Sequence, residues 1–475
     1  MPSGIFARTT AKERRVKKAI RGGKKSRLGP SRVHKVRPLY AGLAKLVRPE
    51  ELPAVDVAER TFGDGLRVIS ERLPGASSVA TGLWVNAGSQ DEAKSKAGIA
   101  HFIEHMVFKG TAGKSMREIM RSIESRGGVL NAFTTKEHTS YYTWSRTTEL
   151  DHAVEILFEL AARPMFTDRD IEREKSVVIE EINGLDDEPD ELVFDLFEKE
   201  LFGEHPLARP IIGTACSVGS LTRGDLLRFH SRHYRSREIT LVASGAHQHE
   251  ALFAAIERSY MHLNEGIARR LPKQSTRRGR TNGESDIHRF GGQQAHIILG
   301  RRAPGARSRD HMALNALVTL LGVGMGSRLN LRLREELGLA YDATAFYSPF
   351  ETEGTIGIYV ATAIENRARA IREMRQIVRG LFSRPISQVE LARTKDQLIG
   401  GVLLSLEAVT NRMMRMGQNE LYFHSYVPVE EELEKIARLT LEDIHRVSDT
   451  FFKDESKLSL VSVLPHPEEG AKKHS

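Results

Sequence analysis

The chain has 475 residues, 40% of them hydrophobic, and its 70 Lys and Arg against 62 Asp and Glu give a formal net charge of +8. This length is enough for two or more domains, and no apolar run approaches the ~18 residues of a membrane span. A single cysteine, Cys216, excludes an internal disulfide framework and favours a reducing compartment.

The positive charge is concentrated at the N-terminus. Residues 1–48 contain 15 Lys and Arg and one acid, Glu13, so the rest of the chain is mildly acidic. Because this stretch lacks sustained apolar periodicity, residues 1–52 are predicted to be a basic, disordered tail. An inert extension is the preferred interpretation and a mitochondrial transit peptide the second. A patch for nucleic acid or an anionic surface is a further alternative.

After the tail, apolar periodicity predicts two halves, 53–263 and 287–475, joined by a basic linker at 264–286. In the first half we predict strands at 66–69 and 79–85 and helices at 98–109, 115–126, 149–161 and 167–186. In the second half we predict strands at 295–299 and 355–361 and helices at 308–322, 364–382 and 387–405. This mixture of elements in both halves indicates an α+β fold.

The helix predicted at 98–109 contains the sequence His101-Phe-Ile-Glu104-His105. Two imidazoles one helical turn apart leave the same face and can offer two nitrogens to one metal ion. Glu104 lies beside them, where its carboxylate can contact a metal-bound water. This H-x-x-E-H order is a zinc-protease signature. A chance arrangement is the weaker interpretation, because it would leave these polar groups unsatisfied beside an apolar wall.

A catalytic zinc ion usually has three protein ligands, and the acidic helix predicted at 167–186 is a candidate source of the third. Glu174 and Glu181 are seven residues apart and share a face, whereas Glu180 points about 100° away from Glu181. A plain acidic surface helix is the alternative. The residues alone leave this choice open.

An internal repeat relates the two halves, because residues 163–175 resemble residues 384–395 at an offset near 220. At that offset Thr394 and Gly401 stand opposite the two glutamates. Leu321 and Met325 stand opposite the two histidines. The second half is therefore predicted to lack the metal ligands, which leaves one Zn²⁺ per chain.

These segments resemble the inverted-zinc-motif peptidases, a family that includes pitrilysin, insulysin and the mitochondrial processing peptidase. The short bacterial and processing-peptidase-beta-like branch is the most similar. The resemblance covers roughly residues 57–460 and is carried by Gly65–Ile69, Leu83–Ser89, Gly98–Thr111, Gly127–Ala132 and His205–Thr214. It implies an α+β fold of two homologous modules, each a mainly antiparallel sheet covered by helices.

The resemblance also implies roles for the residues around the motif. It implies that His101, His105 and Glu181 bind zinc, and that Glu174 orients a histidine ligand through a hydrogen bond. Glu104 would then act as general base on the zinc-bound water. The expected function is that of a zinc-dependent endopeptidase that cleaves peptides or flexible extensions.

The family's substrate-binding elements can be carried over in the same way. The strand at 131–135 corresponds to the edge strand onto which an extended peptide adds, and the matching motif residues are Asn131, Ala132, Glu137 and Tyr142. Arg334 and Tyr341 match a pair that faces the zinc site of the opposing half-molecule, where they would hold a substrate carbonyl and stabilise the oxyanion. We therefore expect a homodimer or a complex with a related partner subunit.

Three other functions are alternatives: a non-catalytic scaffold or partner subunit of a processing-peptidase-like complex, a nucleic-acid-binding protein that uses the tail, and a zinc hydrolase acting on non-peptide substrates. The intact set His101, Glu104, His105 and Glu181 argues against the first. Deletion of residues 1–48 discriminates the second, because nucleic-acid binding would vanish whereas peptidase activity should survive; a nucleic-acid partner is not expected. The expected location is the cytoplasm of a bacterium, with the mitochondrial matrix as the alternative.

Overall fold

The computed structural model describes residues 32–34, 46–48, 52, 55–260, 284–289 and 292–466. Within these residues the chain forms a seven-stranded and a five-stranded sheet. The first sheet consists of β1 (Arg32–His34), β2 (Asp56–Thr61), β3 (Arg67–Arg72), β4 (Ser78–Val85), β5 (Val129–Thr134), β6 (Thr139–Arg146) and β7 (Ile239–Gly245). The second consists of β8 (Glu284–Arg289), β9 (Gln294–Pro304), β10 (Ala340–Pro349), β11 (Glu353–Ala363) and β12 (Ser459–Pro465).

Five strands of the first sheet, β3 to β7, have the same order and directions as the five strands of the second. The first runs β1-β2-β3-β7-β4-β6-β5 and the second β10-β11-β9-β12-β8. From the β5 edge of one and the β10 edge of the other, each sheet shows three antiparallel pairings followed by one parallel pairing, β7 with β3 and β12 with β8. The predicted fold of two homologous, mainly antiparallel modules is thereby confirmed.

The helices also follow one order in both halves. The first half contains α1 (Ile99–Val107), α2 (Met116–Glu124), α3 (Leu150–Ala162), α4 (Asp168–Gly184), α5 (Pro189–Phe202), α6 (Ala215–Gly219), α7 (Arg223–His233) and α8 (His249–Ser259). The second contains α9 (His311–Gly322), a π-helical segment (Asn330–Glu336), α10 (Arg367–Ser383), α11 (Gln388–Ser405), α12 (Val409–Phe423), α13 (Val429–Arg438) and α14 (Leu441–Phe452). The helices and strands predicted from periodicity are all present.

One helix from each half packs on the sheet of the other half. The apolar face of α5, including Phe197 and Phe202, packs against Ile298 and Val461 of the second sheet. Reciprocally, Met413 of α12 packs against the fully buried Trp84 of the first sheet. These exchanged contacts join the two modules through their cores.

Polar contacts reinforce this exchange. Arg412 of α12 forms an ion pair with Glu71 of β3 at 3.3 Å, and both side chains are buried. Ser244 donates a hydrogen bond to the same Glu71 carboxylate at 2.8 Å. Gly417 lies so close to Trp84 that a Cβ atom there would overlap the indole ring. The position of α12 is therefore fixed by charge, packing and a close backbone approach.

The structure corrects two predicted boundaries. Arg32–His34, inside the predicted tail of residues 1–52, pair with β2, and Val47 is 1% exposed in a cluster with Ile399 of α11 and Leu433 of α13. The last three residues of the predicted linker, 284–286, belong to β8. Apolar residues scattered in a basic segment give no periodic signal, which is why the tail prediction extended too far. Most of the tail and of the linker lies outside the described residues.

Candidate metal centre

The start of α1 is fixed by a buried carboxylate. Glu92 accepts hydrogen bonds from the backbone N–H groups of Gly98 and Ala100, each at 2.8 Å. Gly98 has a φ of 90°, and a Cβ atom there would overlap the carbonyl oxygen of Ile212. Burial raises the pKa of Glu92 to about 8, against the two N–H donors and Arg209, which lower it. The helix that carries the histidines therefore begins at one defined position.

Three side chains converge at the surface between α1 and α4. The distances from His101 Nε2 and from His105 Nε2 to the nearest Glu181 carboxylate oxygen are both 3.8 Å. Donor atoms on a tetrahedral zinc ion, at ~2.0–2.1 Å from it, lie about 3.3 Å apart. The spacing thus fits a common ion after a shift of a few tenths of an ångström. Among the described residues, this is the one group of three or more His, Cys, Asp or Glu side chains whose ligand atoms lie close enough together to hold a metal ion.

The geometry separates Glu181 from its neighbours on α4. Glu180 is exposed and is not part of the converging group. Glu174 is 3% exposed and accepts a hydrogen bond from His105 Nδ1 at 2.9 Å, while Lys109 Nζ lies 2.6 Å from its other oxygen. With Nδ1 engaged in this way, Nε2 of His105 is left free to face Glu181.

The protonation states suit metal binding. Burial and the neighbouring His105 lower the pKa of His101 to about 4, so this ring is neutral at neutral pH. Burial acts to lower the pKa of His105 as well, but the hydrogen bond to Glu174 and the surrounding carboxylates outweigh it and raise the pKa. A bound divalent ion would compete with the second proton of the His105 ring, because the neutral imidazole is the form that binds a metal.

Glu104 lies beside this group and has its own partner. Thr134 Oγ1, on β5, donates a hydrogen bond to Glu104 Oε2 at 2.6 Å. Burial raises the pKa of Glu104, whereas the Thr134 hydroxyl and His105 lower it. Sequence reasoning placed a strand here but missed Thr134. The alternation of side chains along a strand could have identified Thr134. It is two residues from Ala132, a predicted substrate residue, and therefore lies on the same face of the sheet.

The other predicted substrate residues lie on or near the same sheet edge. Asn131 and Ala132 are on β5, the edge strand, and Asn131 is paired with Tyr142 on β6. Glu137 is different. Its carboxylate is buried in the β5–β6 turn and accepts hydrogen bonds from the backbone N–H of Glu351, at 3.0 and 3.1 Å. Glu137 therefore joins the two modules.

Arg334 and Tyr341 are not brought together with the histidines. Arg334 lies on the π-helical segment and is exposed, and Tyr341 is 64% exposed at the start of β10. Within the described ranges, no hydrogen bond or ion pair joins either side chain to His101, Glu104 or His105. Both are exposed on the second module and available to another molecule; Tyr341 lies on β10, the strand equivalent to β5, and Arg334 on the π-helical segment that precedes it.

Among the described residues of the second module, no equivalent group of metal ligands is present. α11 carries Thr394 and Gly401 at the positions of the two glutamates, because α4 and α11 begin at 168 and 388, an offset of 220. α1 and α9, however, begin at 99 and 311, an offset of 212. The expectation that Leu321 and Met325 stand opposite the histidines is therefore wrong, because the connecting segments differ in length. Aligning the helix starts places the buried residues Ala313 and Leu317 there.

Comparison with known proteins agrees with this architecture. Residues 67–215 match the family model for insulinase, peptidase family M16, and residues 220–398 match the model for the peptidase M16 inactive domain. An uncharacterised zinc protease of Mycobacterium tuberculosis is 36% identical over 401 residues, which cover 83% of this chain and 91% of that protein. The chain belongs to peptidase family M16. The uncharacterised zinc protease YmxG of Bacillus subtilis is 31% identical, over 85% of this chain and 97% of its own.

Solved structures show the same M16 fold. A protease from Helicobacter pylori superposes with a TM-score of 0.80 at 22% identity, over 87% of this chain and 100% of its own. The peptidase M16 inactive domain from Pseudomonas fluorescens gives a TM-score of 0.77 at 21% identity, over 86% and 98% of the two chains. Within the described ranges of this M16 chain, no helix combines the length and the apolarity that crossing a bilayer requires.

Proposed function

We propose that this M16 protein is a zinc-dependent endopeptidase that acts on peptides or flexible extensions. The observation that carries the proposal is the convergence of His101, His105 and Glu181, with Glu104 beside them. Two imidazoles and one carboxylate are the ligand set of many catalytic zinc sites. The bacterial relatives are named uncharacterised zinc proteases, and these names support the same reaction class. We propose one zinc ion per chain.

Each residue of the site has a separate role in the proposed hydrolysis of a peptide bond. Zinc, when bound, supplies a Lewis acid that polarises the scissile carbonyl and makes water a better nucleophile at neutral pH. Glu104 accepts the proton of the attacking water as general base and later delivers it to the leaving amine. Thr134 holds the Glu104 carboxylate in position, and Glu174 holds the His105 ring. Lys109 in turn neutralises Glu174.

We propose that the substrate enters as an extended strand along β5. This strand is the edge of the first sheet and contains Thr134, so a peptide paired with it would pass beside Glu104. Ala132 would contribute backbone hydrogen bonds, because its N–H donates to Asn131 Oδ1 and is not used in the pairing with β6. Asn131 would contribute its side-chain amide, and Tyr142 would contact substrate side chains. Glu137 would act at a distance, by fixing the turn that follows β5. Main-chain pairing requires an unfolded segment, so this binding mode would favour peptides and extensions over folded domains.

We further propose a homodimer, or a complex with a related subunit, in which Arg334 and Tyr341 act on the partner's site. Their exposure on the second module supports this arrangement. Mixed dimers of a Glu104→Gln chain and an Arg334→Ala, Tyr341→Phe chain should recover part of the activity that each homodimer lacks. Verified mixed dimers that remain inactive would contradict sharing between chains. The bacterial relatives support a bacterial cytoplasmic location over the mitochondrial matrix.

The test of the function is cleavage of a mixture of 15–40-residue peptides, analysed by mass spectrometry with the zinc content of each protein. We expect internal cleavage by the wild type and none by Glu104→Gln with full zinc. Glu181→Gln should lose zinc, whereas Glu180→Gln, one position away and exposed, is the matched control that retains both zinc and activity. A zinc-loaded wild type that cleaves no peptide would favour the alternative, a non-catalytic scaffold or partner subunit.

A further inference from the structure

The face of the first sheet covered by α12 is left open near its edge. Trp84 of β4 is fully buried under α12, but Trp144 of β6 and Val129 of β5 are 47% and 44% exposed. These two residues are direct cross-strand partners, and Trp144 is paired on its other side with Ala80, a member of the cluster beneath α12. Directly opposite residues share a face, so Val129 and Trp144 form an apolar pair on the α12 side of the sheet.

The Trp144 ring is held in place by its polar atom. The indole N–H donates a hydrogen bond to Ser78 Oγ at 3.0 Å. This bond satisfies the only polar group of the side chain and leaves the hydrocarbon surface facing solvent. The free molecule thus presents an ordered aromatic surface, flanked by Val129, at the open edge of the sheet.

This apolar pair is aligned with the proposed reaction site. Val129 and Thr134 are the first and last residues of β5, and Thr134 contacts Glu104. Five residues of extended strand span about 17 Å. Side chains alternate along β5, so Thr134 faces the side of Glu104 whereas Val129 faces the side of Trp144. A peptide strand paired along β5 would place one of its side chains opposite Val129.

We propose that Val129 and Trp144 form a substrate subsite that selects a large aliphatic or aromatic side chain. The occupant is the substrate residue opposite Val129, five positions from the residue opposite Thr134. The inference rests on the proposed peptidase function and adds a substrate class to it, namely extended segments with an apolar residue at one fixed distance from the cleaved bond. Backbone hydrogen bonds to β5 supply affinity for any extended peptide, whereas contact with Val129 and Trp144 selects peptides by one of their side chains.

Cleavage of a peptide series tests the subsite. One Phe is moved position by position through an otherwise Ser- and Thr-rich peptide of about 20 residues, and kcat/KM is measured for each. We expect the Phe peptides to be cleaved about tenfold faster than the all-polar peptide, in line with the discrimination of apolar pockets. The cleaved bond, located by mass spectrometry, should stay at one fixed distance from the Phe as the Phe is moved. Trp144→Thr should abolish this difference. Leu404→Thr, which removes an even more exposed leucine from α11, is the matched control and should retain it.

Fluorescence gives a reading that does not depend on turnover. The chain has two tryptophans, and Trp84 is fully buried, so iodide quenching reports on Trp144. In the Glu104→Gln protein, the preferred Phe peptide should shift the emission to shorter wavelength and protect it from iodide, whereas the all-polar peptide should do neither.

The outcomes separate the subsite from the function on which it rests. A wild type that cleaves the Phe peptides no faster than the all-polar peptide or at bonds unrelated to the Phe, or a Trp144→Thr protein that keeps the preference, would overturn the subsite and leave the peptidase proposal standing. Emission already protected from iodide in the free dimer would show that the partner chain covers Trp144 and would also overturn the subsite. A zinc-loaded wild type that neither binds nor cleaves any peptide would overturn both.

Discussion

Replacing Thr134 by Val removes one hydroxyl from the candidate site and little else, because the two side chains have nearly the same shape. In the structure that hydroxyl donates to Glu104 at 2.6 Å, and burial already raises the pKa of this carboxyl. A hydrogen bond to a charged group contributes about 1.5–3 kcal/mol. If the bond holds Glu104 in place for proton transfer, its loss should lower kcat by roughly 10- to 150-fold, at 1.36 kcal/mol per decade.

The pH profile gives a second, signed expectation. The Thr134 hydroxyl lowers the pKa of Glu104, so its removal raises that pKa. A general base must be ionised, and a higher pKa leaves it protonated up to a higher pH. The acid limb of kcat/KM should therefore move to higher pH in Thr134→Val, with activity lost first on the acidic side.

The assay is steady-state cleavage of one peptide between pH 5 and 9, with the zinc content of each protein measured in parallel. Thr134→Ser keeps the hydroxyl and is the matched control, so it should restore most of kcat and the wild-type acid limb. A Thr134→Val protein with unchanged zinc, unchanged kcat and an unchanged acid limb would refute the role assigned to this bond.

Three further expectations concern other contacts. Glu174→Gln should weaken zinc binding about 10- to 100-fold, measured by competition with a chelator, because His105 loses its charged partner. Arg412→Met should lower the free energy of unfolding, measured in urea, by about 3–5 kcal/mol, because it leaves the buried Glu71 carboxylate without its cationic partner. Adding Glu71→Leu should recover most of that stability. Deleting residues 1–31 should leave peptidase activity intact, because β1 and Val47 are retained; loss of activity would assign the basic tail a catalytic role.

Much of the candidate site follows from local spacing. The separation of His101 and His105 by one helical turn needs only a helix at that position, and α1 is present from Ile99 to Val107. The distinction between Glu180 and Glu181 is harder, since it depends on how α4 faces α1. The helical period narrows the choice to one face, and the structure shows that Glu181 lies on the face towards the histidines.

The remaining features are non-local, and no period in the sequence encodes them. Glu137 sits in a matching motif, yet its carboxylate is occupied by the backbone of Glu351, more than 200 residues away. The apolar faces of α5 and α12 resemble those of any amphipathic helix, so periodicity predicts that they are covered without indicating by which sheet. Only the packing of Phe197 and Met413 shows that each helix has crossed to the other module.

The crossing of these helices affects how the chain is made. Phe197 of α5 leaves the ribosome long before Val461 of β12, its partner in the second sheet. Likewise, Trp84 is synthesised long before Met413, which covers it in the folded protein. At about 5–20 residues per second, each apolar surface stays uncovered for on the order of tens of seconds during synthesis. Neither half can cover both faces of its sheet alone. Separately expressed halves should therefore aggregate, and co-expression should rescue them.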